Sequence, residues 1–261
     1  MKTMNTYLKM AALLAAVAVA GACSKSHTTR VYTLTATLSQ QGNQLTRSTM
    51  TENGSGIATA WEVGDYIWVS YEDNGGAYSN SEALGIVTGV DGSGNATVSV
   101  ELTDPKDGGN IMFGFPYKHW KEGKGLQEEV QRGTLDDINA NFWACGGSGT
   151  LSVAGGSVTI PGNINMWVDN CIWKLTFTDG TADITNKINR LVISFGPYDE
   201  YTVEPWWPYP DAIYISLYGQ YDAPVTITAR TYPTTYSTSK ASITLEPGKF
   251  YSSAGIALSA N

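Results

Sequence analysis

Histidine is almost missing from this chain: His27 and His119 are the only two in 261 residues. A Ser-His-Asp or Cys-His catalytic set would have to be built on one of them. His27 sits in a short polar stretch near the N-terminus, and His119 in the loop YKHWKEGKG reads as a surface histidine. No G-x-S-x-G, phosphate-binding G-x-x-x-x-G-K-[ST] or H-E-x-x-H pattern occurs. Basic runs are also lacking, and the formal net charge is −8. Nucleic acid, which needs clustered Lys and Arg against its phosphates, is therefore excluded as a partner. Cysteine is limited to Cys23, Cys145 and Cys171. No stretch beyond the N-terminal region is long and apolar enough to span a bilayer as a helix.

What the N-terminus does have is a targeting pattern. Lys2 and Lys9 precede the apolar run Ala11 to Ala20, and Ala20-Gly21-Ala22 leads directly into Cys23. This is the order of a secretory signal over residues 1–22, which is set aside from fold reasoning. A cysteine directly after small residues resembles the bacterial lipoprotein signal, with Cys23 as the acylated residue and 23–30 as a polar tether. Ala20 stands where such signals usually have Leu. Removing 1–22 leaves 239 residues; with Lys2 and Lys9 gone, 14 basic residues face 24 acidic ones, a net −10. Cys145 and Cys171 are then the remaining thiols. One disulfide between them would close a loop of about 26 residues, worth roughly 3 kcal/mol in the loop-entropy account. Two buried free thiols are the other reading, and Cys171, in line with Trp173, Leu175 and Phe177, suits burial either way.

The rest of the chain is written in short alternating runs separated by Gly, Pro, Asn and Asp, so it is expected to be all-β. Tyr32, Leu34, Ala36 and Leu38 form one face of a first strand, with Val31, Thr33, Thr35 and Thr37 on the other. A polar stretch follows, then TAWEVGDYIWVSYE, a GIVTGV/ATVSVEL hairpin, NIMFGFP, and a second hairpin from SGTLSV and GSVTIPG. LQEEVQRGTLDDINANFWA is the one weakly helical segment. Six further runs, CIWKLTF, RLVISF, AIYISLY, PVTITARTY, ASITL and GIAL, make a second set. Regular turn signals without long helices predict two tandem antiparallel β-sandwich domains, 31–162 and 163–261. Glu246-Pro247-Gly248-Lys249 suits a turn with positive φ at Gly248.

Few carboxylates stand out chemically. Asp65, after Gly64, is better read as a turn residue bonding backbone amides, followed by a strand with Ile67, Val69 and Tyr71 inward and Tyr66 and Trp68 outward. Asp91 to Asn95 has the look of a calcium loop, but Ala96 and Leu102 occupy the sixth and twelfth positions, where such loops need Gly and Glu, so a hairpin turn is expected. Asp136-Asp137 fits the first turn of a helix. Pro197 to Tyr214 is expected to be an ordered extended loop, because prolines interleave with Tyr198, Tyr201, Trp206, Trp207 and Tyr209. Those rings either roof the second core or face a ligand such as a sugar or a protein. No metal site, cofactor site or catalytic set is nominated.

Taken together, the chain resembles the fimbrillin-like lipoproteins of protease-assembled pili. The resemblance rests on the acylated-Cys signal, Thr46-Arg47, Trp61-Glu62-Val63-Gly64-Asp65-Tyr66-Ile67, Phe115-Pro116-Tyr117 and Gln131-Arg132-Gly133-Thr134. It continues in Met166 ahead of Cys171-Ile172-Trp173-Lys174-Leu175, and in Leu245 to Tyr251. It implies two transthyretin-like sandwiches, export as a lipoprotein to the outer membrane, and a structural and adhesive role with no enzymatic activity. It further implies cleavage at Arg47, loss of the Tyr32–Leu38 strand, and refilling of the groove by a strand of another pilus subunit. Arg30 is a second cleavage candidate, but a cut there leaves the strand in place. The last run, Gly255 to Leu258, shows no spare strand to donate, which suits a tip or accessory subunit. A glycan-binding surface lipoprotein of a polysaccharide-capture system is the alternative.

Overall fold

The computed structural model describes residues 29–40, 49–52, 57–75, 79–116, 120–121, 130–197 and 199–261. Cys23, Arg47, His119 and Tyr198 lie outside the described residues, as do the signal sequence and nearly all of the tether. Among the described residues no helix is long and apolar enough to cross a membrane.

The fold is all-β. The strands in order are β1 (Val31–Gln40), β2 (Thr49–Glu52), β3 (Ile57–Ala60), β4 (Tyr66–Glu72), β5 (Asn80–Val90), β6 (Ala96–Thr103) and β7 (Asn110–Phe115). A three-residue helix, α1 (Leu135–Asp137), runs into a π-turn at Ile138–Phe142. Next come β8 (Cys145–Thr150), β9 (Ser152–Ala154), β10 (Ser157–Thr159), β11 (Ile164–Val168) and β12 (Asn170–Thr178). The remainder are β13 (Arg190–Phe195), β14 (Asp199–Val203), β15 (Ile213–Tyr218), β16 (Tyr221–Arg230), β17 (Thr235–Leu245), β18 (Phe250–Ala257) and β19 (Ser259–Ala260).

Period-two patterning explains the first half. In β4, Ile67, Val69 and Tyr71 are buried while Tyr66 is exposed. In β6, Ala96, Val98, Val100 and Leu102 turn inward, as do Leu34, Ala36 and Leu38 in β1. These rows meet in one core inside a closed barrel of order β1-β11-β8-β7-β4-β5-β6. The expected first sandwich is thus corrected to a barrel, and it is not wholly antiparallel. β1 pairs antiparallel with β6 along eight residues, then lies parallel to β11 at Leu38 to Gln40. That short parallel contact joins two strands that would otherwise be sheet edges, and closure removes both.

The second half has two facing sheets, β15-β12-β18 and β14-β13-β16-β17-β19, around a separate core. Here too one pair, β12 with β18, is parallel. The aromatic segment expected to be loop throughout contains β14, paired with β13, and the start of β15.

Two features displace the expected boundary at 162. β11 pairs with β1 and β8, and its Ile164, Met166 and Val168 belong to the barrel core. Conversely, residues 131–133 leave the first half to bond β14 and β15. Their apolar neighbours are on the other side of the sequence boundary, so burial drew both segments across it. By contacts, Val31–Asn261 forms one unit.

Candidate functional site

The turn at Asp65 is structural. Its carboxylate Oδ2 accepts from the Glu62 N–H at 2.8 Å, and Gly64 beside it has φ +102°. Asp91 likewise accepts from the Ser93 and Asn95 backbone amides at 2.8 and 2.9 Å, closing the β5–β6 hairpin. A bond from the Asn95 side chain foremost, and then those backbone bonds, hold its carboxyl below the usual range. Asp136 and Asp137 occupy the first turn of α1, where the Asp137 N–H donates to Thr134 Oγ1 at 3.2 Å. Among the described residues no group of three or more His, Cys, Asp or Glu is placed to hold a metal ion.

Gln131-Arg132-Gly133-Thr134 is where the two halves are fastened. The Gln131 backbone donates to Thr202 O and accepts from Glu204 N, as a β-strand neighbour of β14 would. Its side chain then serves β15: Nε2 donates to Ser216 O at 2.7 Å, and Oε1 accepts from Ser216 N at 2.8 Å. One residue thereby occupies an edge of each sheet. Gly133 adds a backbone bond, its carbonyl accepting from Tyr214 N. Gly133 has φ +79°, and a Cβ there would sit 3.1 Å from Val203 Cγ1 and 3.2 Å from Ile213 Cγ2. A left-handed backbone in so tight a place explains glycine. Beneath this edge, Asn170 Nδ2 and Ser216 Oγ both donate to Phe142 O, at 2.8 and 2.7 Å.

Arg132 points the other way. Its guanidinium lies 4.9 Å from the centre of the Trp206 ring, and Nη1 donates to Glu204 O at 3.3 Å. Trp206 and Trp207 are 70% and 83% exposed. They border a depression of about 510 Å³ whose walls include Arg132, Asp136, Asn141 and Pro210. A smaller one of about 200 Å³ shares Thr134, Asp136 and Pro210 and reaches Tyr214. Sequence reasoning found the tryptophans but not Arg132, Asp136 or Asn141, which approach from a separate segment; the aromatic–proline composition carried no signal for them.

Not every ring named from the sequence belongs here. Tyr201 is buried at 2% exposure, packed edge-on against Phe195 and Tyr221, and its hydroxyl accepts from Tyr218 N at 3.1 Å. As the inward residue of β14 it is core, not ligand-facing. Tyr209 is half-buried. The disulfide, one of the two readings of these thiols, is corrected: Cys145 and Cys171 are both buried and are not bonded to each other. Cys145 packs in the barrel core and Cys171 in the second core, so the two thiols serve different interiors. Burial pushes the Cys171 thiol up to about 12 and Cys145 higher still, with Asp169 adding to the latter.

The strand named as removable, β1, fills the slot between β6 and β11, with Leu34, Ala36 and Leu38 buried and Tyr32 half-buried. The next element among the described residues is secured separately. In the β2–β3 hairpin Met50 is buried, and Glu52 accepts from Lys174 Nζ at 2.6 Å and from the Tyr214 hydroxyl. These bonds, the Lys174 one foremost, lower the Glu52 pKa, and the bond to Glu52 raises that of Lys174. A lowered carboxylate pKa contributes stability above its unfolded value of about 4.3, lost as pH falls through the folded one. The melting temperature of Glu52→Gln is therefore expected to lie below that of the wild type at pH 7. The gap should shrink as pH falls through the lowered Glu52 pKa. A gap that stays constant down to pH 2 would show the clamp contributes nothing.

No family model and no curated protein matches the chain. Solved structures do show likeness. Two are described by the words "putative cell adhesion protein". The one from Bacteroides uniformis has 10% identity, TM-score 0.45, and coverage of 91% of this chain and 98% of that one. The one from Bacteroides eggerthii has 12% identity, TM-score 0.42, and covers 85% of each chain. A fimbrial assembly protein from Parabacteroides distasonis shows 9% identity and TM-score 0.42 over 87% of this chain and 91% of that one.

Proposed function

We propose that the chain is a pilus-associated cell-surface lipoprotein, a tip or accessory subunit with an adhesive and non-enzymatic role. It is anchored to the outer membrane through Cys23 and assembles by β-strand replacement. The observation that carries the reading is the position of β1. Its two ladder neighbours, β6 and β11, come far later in the chain, so only the segment 41–48 ties β1 to everything after it. A cut there, at Arg47, would sever the strand from the fold without disturbing any other connection. Met50 and the Glu52 clamp would keep the new N-terminus docked.

The vacated slot would present the free edges of β6 and β11 over a floor that had held Leu34 and Leu38. A strand of another subunit with alternating apolar residues supplies the same backbone bonds and side chains. In this reading the closed barrel is the strand-accepting half with its removable strand still in place, and the two-sheet half stays intact beside it in sequence. β18 is committed to β12 and β19 to β17, so neither is spare in this state, which supports an accepting rather than a donating role.

The test is to treat the full-length protein with an Arg-specific protease and sequence the new N-terminus. A single cut giving Ser48 is expected. The cut protein, after mild denaturation and refolding, should then bind a labelled peptide of residues 31–40. A chain that stays intact, or is cut at scattered sites, would sink the proposal.

A further inference from the structure

The geometry points to a binding site for a neutral oligosaccharide on the shelf formed by Trp206 and Trp207. It would give the surface role a ligand, rests on the adhesive part of the reading above, and does not require strand replacement.

Two large apolar rings left this exposed at the border of one depression are costly to solvate unless something covers them. They do not fold back onto the core because their segment is stiff. Pro205, Pro208 and Pro210 fix φ on both sides, and Pro205 is itself buried, so it anchors the loop. Arg132 takes one face of Trp206 and thereby sets the ring's orientation. The Trp207 ring is the freer of the two.

The polar groups beside the rings narrow the choice of ligand. Asp137 is already engaged: Oδ2 accepts from Arg132 N at 2.6 Å and Oδ1 from Asn141 Nδ2 at 2.9 Å. That leaves Asn141 with its Oδ1 as an acceptor. Asp136 is exposed, and its carboxylate makes no hydrogen bond or ion pair to the described residues. Both line the depression under the tryptophans. Acceptors at the rim of an aromatic shelf match a pyranose ring, which offers a C–H face for stacking and a fringe of hydroxyl donors.

Charge removes the rival classes. A cationic ligand attracted to the indoles would meet the Arg132 guanidinium, and an anionic one would meet Asp136 and Asp137. A nucleic-acid base could stack, but a single arginine beside two carboxylates is no track for a phosphate backbone. An uncharged, hydroxyl-rich ring fits this mixture. Size extends the inference from one ring to a chain. The 510 Å³ depression lies within the range of roughly 300–1,000 Å³ usual for small-molecule sites. The second depression, sharing Thr134, Asp136 and Pro210, continues it toward Tyr214. Two adjoining depressions with a common wall suit at least two linked sugars.

The experiment uses the uncut full chain, so failure of strand replacement cannot affect it. Neutral β- and α-linked oligosaccharides of two to six units are screened by calorimetry and on a glycan array, with sialylated and sulfated glycans for comparison. Binding of at least one neutral oligosaccharide is expected. Trp207→Ala and Trp206→Ala should each weaken it about tenfold, the size of one lost stacking contact. Asp136→Asn should weaken it less, since the amide still accepts. Tyr232→Ala, an aromatic that is even more exposed but does not line either depression, should leave it unchanged. All four positions are on the surface, and matching circular dichroism and melting temperatures confirm that each variant folds. The proposal is overturned if no neutral oligosaccharide binds, if only anionic glycans do, or if both tryptophan variants bind like the wild type.

Discussion

Replacing Gln131 by alanine is expected to lower the free energy of unfolding by about 2–5 kcal/mol. Its side chain is the sole bonding partner, among the described residues, on that side of Ser216. Truncation would strand a buried N–H and a buried C=O in one step. Each such group costs roughly 1–3 kcal/mol. The carboxamide also fills space, so Gln131→Met separates the two effects by keeping volume while deleting both hydrogen bonds. Most of the loss should persist in Met, because the backbone groups of β15 stay unsatisfied. Urea unfolding followed by tryptophan fluorescence reads both variants. If each falls within about 0.5 kcal/mol of the wild type, solvent or a neighbouring group replaces the clasp, and its assigned role fails.

The second large effect concerns β1. Leu38 is fully buried where the strand passes from β6 to β11, so it supports both the barrel core and its closure. Leu38→Asp is expected to prevent native folding, since an unpaired carboxylate would be placed in an apolar interior. Leu38→Ala should fold with a loss of about 2–5 kcal/mol. Thr35→Asp, on the outward face of the same strand, should change stability by no more than about 0.5 kcal/mol. The contrast between inward and outward positions is the measurement that matters. Equal effects at 35 and 38 would mean that β1 is not seated as described. Leu38→Ala also bears on assembly: with its grip weakened, β1 should leave more readily after protease treatment.

Local features of this fold were legible in the sequence and long-range ones were not. The inward row of β4, the Asp91 hairpin, the turn at Gly248 and the burial of Cys171 follow from period-two patterning and turn chemistry. Barrel closure does not, because three residue pairs between β1 and β11 leave no mark on either strand's alternation. The helix expected over LQEEVQRGTLDDINANFWA is reduced to α1 and the π-turn in the part described. There Gln131 and Gly133 were claimed by β14 and β15, and tertiary bonds outweighed a weak propensity. At the candidate site the tryptophans announced themselves by composition. Tyr201 did not separate from them, since β14 places it inward by alternation with Thr202 while the proline-flanked Trp206 and Trp207 stay outside. Arg132 and Asp136 became relevant only when the chain had folded back across some 70 residues.

β11 and β12 are separated by Asp169 alone. β11 is stitched into the barrel on both sides, and β12 is the middle strand of its sheet. The two interiors are thereby spliced onto one ribbon with a single residue between them. Tension entering the barrel would reach the second core through this ribbon and the Gln131 clasp, with no slack linker to stretch first.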